Sequence, residues 1–197
     1  AGIRGSFRKR FLNFATYALA ATFAGLLARP RPDVVYASST PLTVGVPGAL
    51  TAAFRRAPFV FELRDLWPES AVVAGVLEER SRATRAAASL ARVLYRRAAR
   101  CVAVTRGIAA GLEAAGVPRE KIVYVPNGVD DWMVAEPVPA PPARADGFRV
   151  VYVGAHGKWN GLGQILDAAA LLGDRPGIRF LLVGDGDERA HLAEAAA

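Results

Sequence analysis

Six short apolar runs, at 34–37, 59–63, 101–105, 122–125, 150–153 and 180–183, alternate along this chain with longer stretches of helical periodicity. None shows the apolar–polar alternation of a strand with one wet face, so each reads as a strand covered by helices on both sides. Strands separated by helix-length segments pair in parallel through crossovers, and the class is therefore α/β. With 197 residues, 52% hydrophobic and 22% charged, the chain is long and apolar enough to bury a core. The string EPVPAPPARAD at 136–146 fits neither a central strand nor a helix interior. We read 135–147 as a linker, dividing a four-strand domain at 1–134 from the opening of a second at 148–197.

Charge and cysteine content narrow the partners. The net charge of +7 comes mostly from arginine, since Lys9, Lys121 and Lys158 are the lysines. Such a balance suits nucleic acid, anionic lipid or a phosphorylated substrate. Nucleic acid is the weakest of these, because the chain lacks zinc-ligand spacing, interleaved aromatics and a recognition-helix pattern. A single cysteine, Cys101, excludes an internal disulfide and any multi-cysteine metal site; opening an apolar run, it reads as a buried small hydrophobe.

Two helical segments bear on membranes. The uncharged run 11–28 is at the lower length limit for a span, and Asn13, Thr16, Tyr17 and Thr22 dilute it. A buried or interfacial helix is the favoured reading, a transmembrane segment or signal anchor the alternative. Between 78 and 100, Arg82, Arg85, Arg92, Arg96 and Arg100 fall on one helical stripe, with Ala83, Ala87, Leu90, Leu94 and Ala98 nearly opposite. That stripe is either an ordinary solvated face or a surface for anionic phospholipid.

Three loops carry the polar chemistry. After the run at 150–153, Gly154, Gly157 and Gly161 form a glycine-rich loop that opens a helix, an arrangement that brings backbone amides to a phosphate. Lys158 and His156 are its local cations, although His156 equally suits loop packing, and the spacing is not GxGxxG, so an ordinary strand-to-helix turn stays open. At 59–70, a strand delivers Arg64, Asp65 and Glu69 at its C-terminal end, where open parallel sheets bind ligands. The alternative is an ion pair of Arg64 with Asp65 or Glu69 that merely holds the loop. A third strand ends in Asn127-Gly128, a turn signal that also presents a side-chain amide.

The strings VAVTRGIAAGL at 102–112, GVP at 116–118 and VPNGVD at 125–130 resemble the end of the N-terminal domain of family 4 glycosyltransferases. RDLWPES at 64–70 is similar to the bacterial subgroup that includes the L-fucosamine transferases of surface-polysaccharide assembly, and VYVGAHGKWNGL at 151–162 with LVGDGDER at 182–189 resembles the start of the family's donor domain. The resemblance implies a GT-B architecture: most of an N-terminal Rossmann-like domain plus the start of a second. It implies a retaining, metal-independent transfer of sugar from a nucleotide donor, with UDP the expected nucleotide and a lipid-linked glycan the expected acceptor, at the cytoplasmic face of the inner membrane. No metal ligand and no cofactor is expected. Carried residue by residue, it puts Arg64 and Asp65 near the reacting sugar and Glu69 and Asn127 along the acceptor cleft. Gly154, His156, Gly157, Lys158, Asn160 and Gly161 then face the diphosphate, with Gly184, Asp185 and Gly186 near the nucleoside.

The sequence also departs from the family. Many relatives carry arginine after the first loop glycine and lysine before the last, where this chain has Ala155 and Asn160. The family's glycine-rich N-terminal turn and its pair of donor-holding glutamates are not found. Together with a start that lacks methionine and an end within a helical pattern, this reads as a fragment that is inactive alone. Outside this family, a non-catalytic nucleotide-binding or membrane-associated module and a basic nucleic-acid-binding protein are the alternatives.

Overall fold

A computed structural model describes residues 7–135 and 147–196, and contacts divide the chain into two units, with the boundary in sequence between Asp130 and Asp131. The proline-rich string at 136–146 lies outside the described residues.

The first unit is built on four parallel strands, β1 (Val35–Ser39), β2 (Phe59–Leu63), β3 (Arg100–Ala103) and β4 (Ile122–Tyr124), in the order β1-β2-β3-β4. Because spatial order follows chain order, right-handed crossovers bring the connecting helices to one face of the sheet. The helices α2 (Gly45–Arg55), α4 (Arg82–Arg97) and α5 (Arg106–Ala114) do so. Their Ala52, Leu94 and Leu112 join Phe59, Phe61, Leu63 and Cys101 in one core. Phe61 is fully buried, with its ring 5.6 Å from Phe59 and 6.4 Å from Tyr95. Cys101 is the small buried hydrophobe expected, and burial raises its thiol to about 11.

Alternate residues of a strand face opposite sides, so the covered face takes Phe59, Phe61 and Leu63 and the other takes Val60 and Glu62. On that second face Tyr36 and Val123 remain exposed. Both-sided cover, inferred from the uninterrupted apolar runs, therefore does not hold for the edge strands among the described residues.

The helix α1 (Phe7–Leu27) lies against α2, close enough that a Cβ on Gly25 would sit 2.3 Å from Thr51 Oγ1. It is not a buried helix: Leu12, Leu19, Phe23 and Leu27 are exposed. Among the described residues, no helix is long and apolar enough to cross a membrane.

Two helix starts follow directly from the sequence. Ser81 caps α4 by accepting from the Thr84 amide at 3.1 Å, and Thr105 caps α5 by accepting from the Ile108 amide at 3.1 Å. The C-terminus of α4 corrects an expectation. Helical periodicity runs on to Arg100 in the sequence, but Ala98 is extended and the Ala99 amide donates to the Phe59 carbonyl at 2.7 Å, so pairing with β2 takes the chain into β3.

In the second unit, β5 (Phe148–Val153) and β6 (Ile178–Val183) pair in parallel through α7 (Gly163–Leu171), and α8 (Arg189–Ala195) follows β6. A short helix, α6 (Asp131–Ala135), precedes them, as α3 (Glu69–Val73) precedes α4 in the first unit. The β5–β6 sheet leaves Val151, Val153, Leu181 and Val183 exposed, as a two-strand unit with helices on one side must.

Candidate functional site

The C-terminal ends of β1 and β2 gather a polar cluster on the second face of the sheet. Parallel register sets Ser38 beside Glu62 and Tyr36 beside Val60, so Tyr36, Ser38 and Glu62 project to the same side. Glu62 is buried, and both of its oxygens are engaged. The Tyr36 hydroxyl donates to Oε2, the Ser38 hydroxyl donates to Oε1 at 3.1 Å, and Arg64 Nε donates to Oε1 at 2.7 Å. Burial alone would raise this carboxyl, but the hydrogen bonds from Tyr36 and Ser38 and the Arg64 guanidinium outweigh it and hold it below its ordinary value. Burial and the neighbouring carboxylate push the Tyr36 hydroxyl up to about 12.

Arg64 is half exposed, and its Nε also lies 3.2 Å from Ser38 Oγ. Its ion-pair partner is therefore Glu62, and not Asp65 or Glu69 as the loop-holding alternative had it. Asp65 is exposed and accepts from the Thr40 hydroxyl at 2.7 Å, which ties the loop after β2 to the loop after β1. Glu69 is exposed in the first turn of α3 and borders a cavity of about 510 Å³ lined by Leu66, Trp67, Ala91 and Tyr95. Asn127 is exposed in the segment after β4. That segment leaves the sheet beside Tyr124, whose ring carries the Arg106 guanidinium 5.4 Å from its centre.

The sequence reading missed Glu62, Tyr36 and Ser38. One signal was present: Glu62 is the lone charge in the apolar string FVFEL, and an unpaired charge does not persist in a buried strand. Its partners become visible only once the β1–β2 register is known.

In the second unit, the glycine loop after β5 is locked to the loop after β6. The Gly154 amide donates to the Val183 carbonyl at 3.0 Å, His156 donates to the Asp185 carbonyl at 2.9 Å, and the Glu188 amide donates to the His156 carbonyl at 2.9 Å. Gly184 is there because the strands' ends come so close: a Cβ on it would lie 1.8 Å from the Gly154 carbonyl oxygen. A Cβ on Gly186 would lie 2.4 Å from the His156 carbonyl oxygen.

His156 is buried, neither ring nitrogen has a hydrogen-bond partner among the described residues, and the residue borders a cavity of about 640 Å³ with Leu166, Arg189 and Leu192. Lys158, Asn160, Gly161 and Asp185 are exposed. Asn160 uses one of its two Nδ2 donors within the loop, on the Ala155 carbonyl, which also accepts from the Tyr152 hydroxyl at 3.0 Å. Asp185 accepts from the Gly186 amide at 2.9 Å and lies 3.8 Å from Arg189.

The amides of the helix start are less free than the sequence implies. A short 3-10 turn at Lys158–Asn160 precedes α7, and the Asn160, Gln164 and Ile165 amides donate to carbonyls within these turns. Among the described residues, the Gly157 and Lys158 amides have no backbone partner, and the space around Gly157 is open. An anion at this loop would meet those amides and the Lys158 ammonium.

On α4, Arg82, Arg85, Arg92 and Arg96 are exposed. Arg100 opens β3 and is not part of the helical stripe, because the helix has already ended at Arg97. Among the described residues, no cluster of three or more histidine, cysteine or acidic side chains is arranged to hold a metal ion.

Solved structures share this architecture at low sequence identity. Anabaena HepE in complex with UDP aligns with 92% of this chain and 46% of its own, at 21% identity and a TM-score of 0.60. Its complex with UDP and glucose aligns over 99% and 49%, at 22% identity and a TM-score of 0.59. The apo form of the lipopolysaccharide outer core galactosyltransferase WaaB aligns over 98% and 47%, at 16% identity and a TM-score of 0.55. These likenesses establish the fold as part of a GT-B architecture, and the chain spans just under half the length of each of these proteins. No curated protein matches the sequence. The sequence profile of the glycosyl transferase 4-like domain matches residues 4–128, well over half of the chain, and the chain belongs to that family.

Proposed function

We propose that the full-length protein is a retaining glycosyltransferase that moves a sugar from a nucleotide donor, with UDP as the nucleotide, to a lipid-linked glycan acceptor in surface-polysaccharide assembly. Within its family it is assigned to the L-fucosamine transferase subgroup on the strength of the string RDLWPES at 64–70. The observation that carries the reading is Arg64: a guanidinium fixed at the C-terminal edge of a parallel sheet, with no partner for its terminal nitrogens among the described residues. The likeness in fold to HepE, solved with UDP and with UDP-glucose, and to the galactosyltransferase WaaB supports the substrate class.

In this mechanism the bond between the sugar's anomeric carbon and the diphosphate breaks, and the acceptor oxygen bonds to that carbon on the same face. The acceptor's proton passes to the departing diphosphate oxygen. Negative charge grows on the diphosphate, and fixed donors and cations stabilise it more in the transition state than in the ground state. On the donor loop Lys158 supplies a cation and the Gly157 and Lys158 amides supply donors, while Arg64 is the cation assigned, with Asp65, to the reacting sugar. Glu62, buried and hydrogen-bonded through both oxygens, is assigned no role as nucleophile or base. Glu69 and Asn127 are assigned to the acceptor side, and Gly184, Asp185 and Gly186 to the nucleoside side. His156 is assigned to the donor loop through its backbone. The reaction uses no metal and no cofactor. The exposed arginines of α4 face anionic lipid on the cytoplasmic side of the membrane.

The test is turnover by the full-length protein with UDP-sugars and a polyprenyl-diphosphate-linked acceptor, without and with EDTA, with the product's anomeric configuration read by NMR. UDP release with retention is the expected result. No turnover with any UDP-sugar, or an inverted product, overturns the reading; loss of activity in EDTA overturns its metal independence.

A further inference from the structure

We infer that Glu62 is a positioning residue that presents the Arg64 guanidinium to the site, a role that rests on the reading of Arg64 as a cation of the transfer reaction. The geometry is specific. Glu62 sits inside β2 on the face opposite the core, is 8% exposed, and holds Arg64 by Nε at 2.7 Å while hydroxyls from β1 bond one to each of its oxygens. Nε carries a single N–H, so this contact uses one of the five guanidinium donors and leaves the four on the terminal nitrogens for a ligand. Half of the Arg64 side chain is exposed, and among the described residues its terminal nitrogens have no hydrogen-bond partner.

A buried carboxylate is a poor choice for stability alone. Its desolvation consumes much of what its pairing returns, and an apolar residue such as the neighbouring Val60 would suit a strand interior as well. What the carboxylate provides is orientation. Two strands in fixed register bring Tyr36, Ser38 and Glu62 together, and the rigid sheet thereby fixes a long side chain that would otherwise lose rotamer freedom on meeting its ligand. A pre-placed cation acts on the charge that develops in the transition state, so its loss lowers kcat more than it raises KM.

Glu62→Gln keeps the shape and removes the charge. In the full-length protein, kcat is expected to fall about 10- to 100-fold, with KM for the nucleotide sugar within about twofold. In the 197-residue chain, the Arg64 Nε–H resonance, assigned by its absence in Arg64→Lys, is expected to exchange slowly at neutral pH and to join the bulk arginine signals in Glu62→Gln. An unmoved resonance, or full kcat in Glu62→Gln where Arg64→Lys is impaired, overturns the inference. A fully active Arg64→Lys overturns the part given to Arg64 in the transfer reaction, and the positioning role with it, while the resonance still reports the Glu62 contact. If Glu62→Gln loses its far-UV circular dichroism, Tyr36→Phe replaces it, since the Tyr36 ring is 55% exposed and its hydroxyl dispensable for packing. It is expected to lower kcat at least about threefold at constant KM, and an unchanged kcat overturns the inference.

Discussion

At the scale of single residues, Glu62 and Lys158 carry the most testable chemistry. The carboxyl of Glu62 is held below its ordinary value of 4.5 because its hydrogen bonds and the Arg64 charge outweigh burial. A folded-state value below the unfolded one means that the ionised group stabilises the fold above the ordinary value, and that this contribution is lost as pH falls through the folded one. Urea midpoints of wild type and Glu62→Gln should therefore differ by a constant amount from pH 7 to about 5. Below pH 4.5 the difference should move in favour of the glutamine variant. A difference independent of pH down to 3 would show that the carboxyl titrates alike in both states. Lys158 is an exposed cation beside two backbone amides without backbone partners, the arrangement an anion would meet. In the full-length protein, Lys158→Ala should raise the dissociation constant for UDP by about three- to tenfold, on the order of the tenfold that one charge-assisted hydrogen bond supplies. Calorimetric titration with UDP would read it, and an unchanged constant removes Lys158 from the site.

At the scale of elements, the helix starts are local and their strengths can be set against each other. Thr105→Ala removes one bond, from the Ile108 amide, and should cost about 1 kcal/mol. Ser81→Ala removes the bond from the Thr84 amide and also the 3.0 Å contact with the Thr84 hydroxyl, which itself donates to the Glu78 carbonyl at 2.6 Å. It should cost at least as much. As the caps serve different helices, the double variant should lose about 2 kcal/mol, the sum, in denaturant melts; a marked shortfall would mean that α4 and α5 compensate each other.

All six strands were legible as apolar runs; in β2 and β3 sequence and burial coincide, whereas β4, β5 and β6 keep exposed apolar positions. The end of α4 was not, because Ala98 and Ala99 suit a helix by themselves and yield to a bond with β2 that lies far away in sequence. The candidate site divides in the same way. Arg64, Asp65 and the glycine loop are local strings, whereas the partnership of Tyr36 and Ser38 with Glu62 exists only in the register of two strands. The inward burial of His156 likewise depends on the loop after β6, and neither string alone carries it.

At the scale of the whole molecule, the core is unevenly shared. The contiguous buried cluster that holds Phe61, Leu94 and Leu112 lies wholly within residues 37–117, while β5 and β6 each alternate half-buried with exposed positions. Local stability follows buried apolar contacts, so amide exchange in β2 and β3 should be slowest and that in β5 and β6 faster. A core substitution separates the two units. Phe61→Ala removes a fully buried ring that stacks on Phe59, and should destabilise the first unit by about 3–5 kcal/mol. Since the contacts of Phe61 belong to the first unit, hydrogen exchange followed by mass spectrometry should show protection falling in peptides from 35–124 and holding in peptides from 148–196. An equal fall in both would show that the chain folds as one cooperative body. The glycine loop would then owe its order to the core around Phe61 as well as to its lock with Gly184, and the effect of Phe61→Ala on UDP affinity would have to be read as a change in the donor loop.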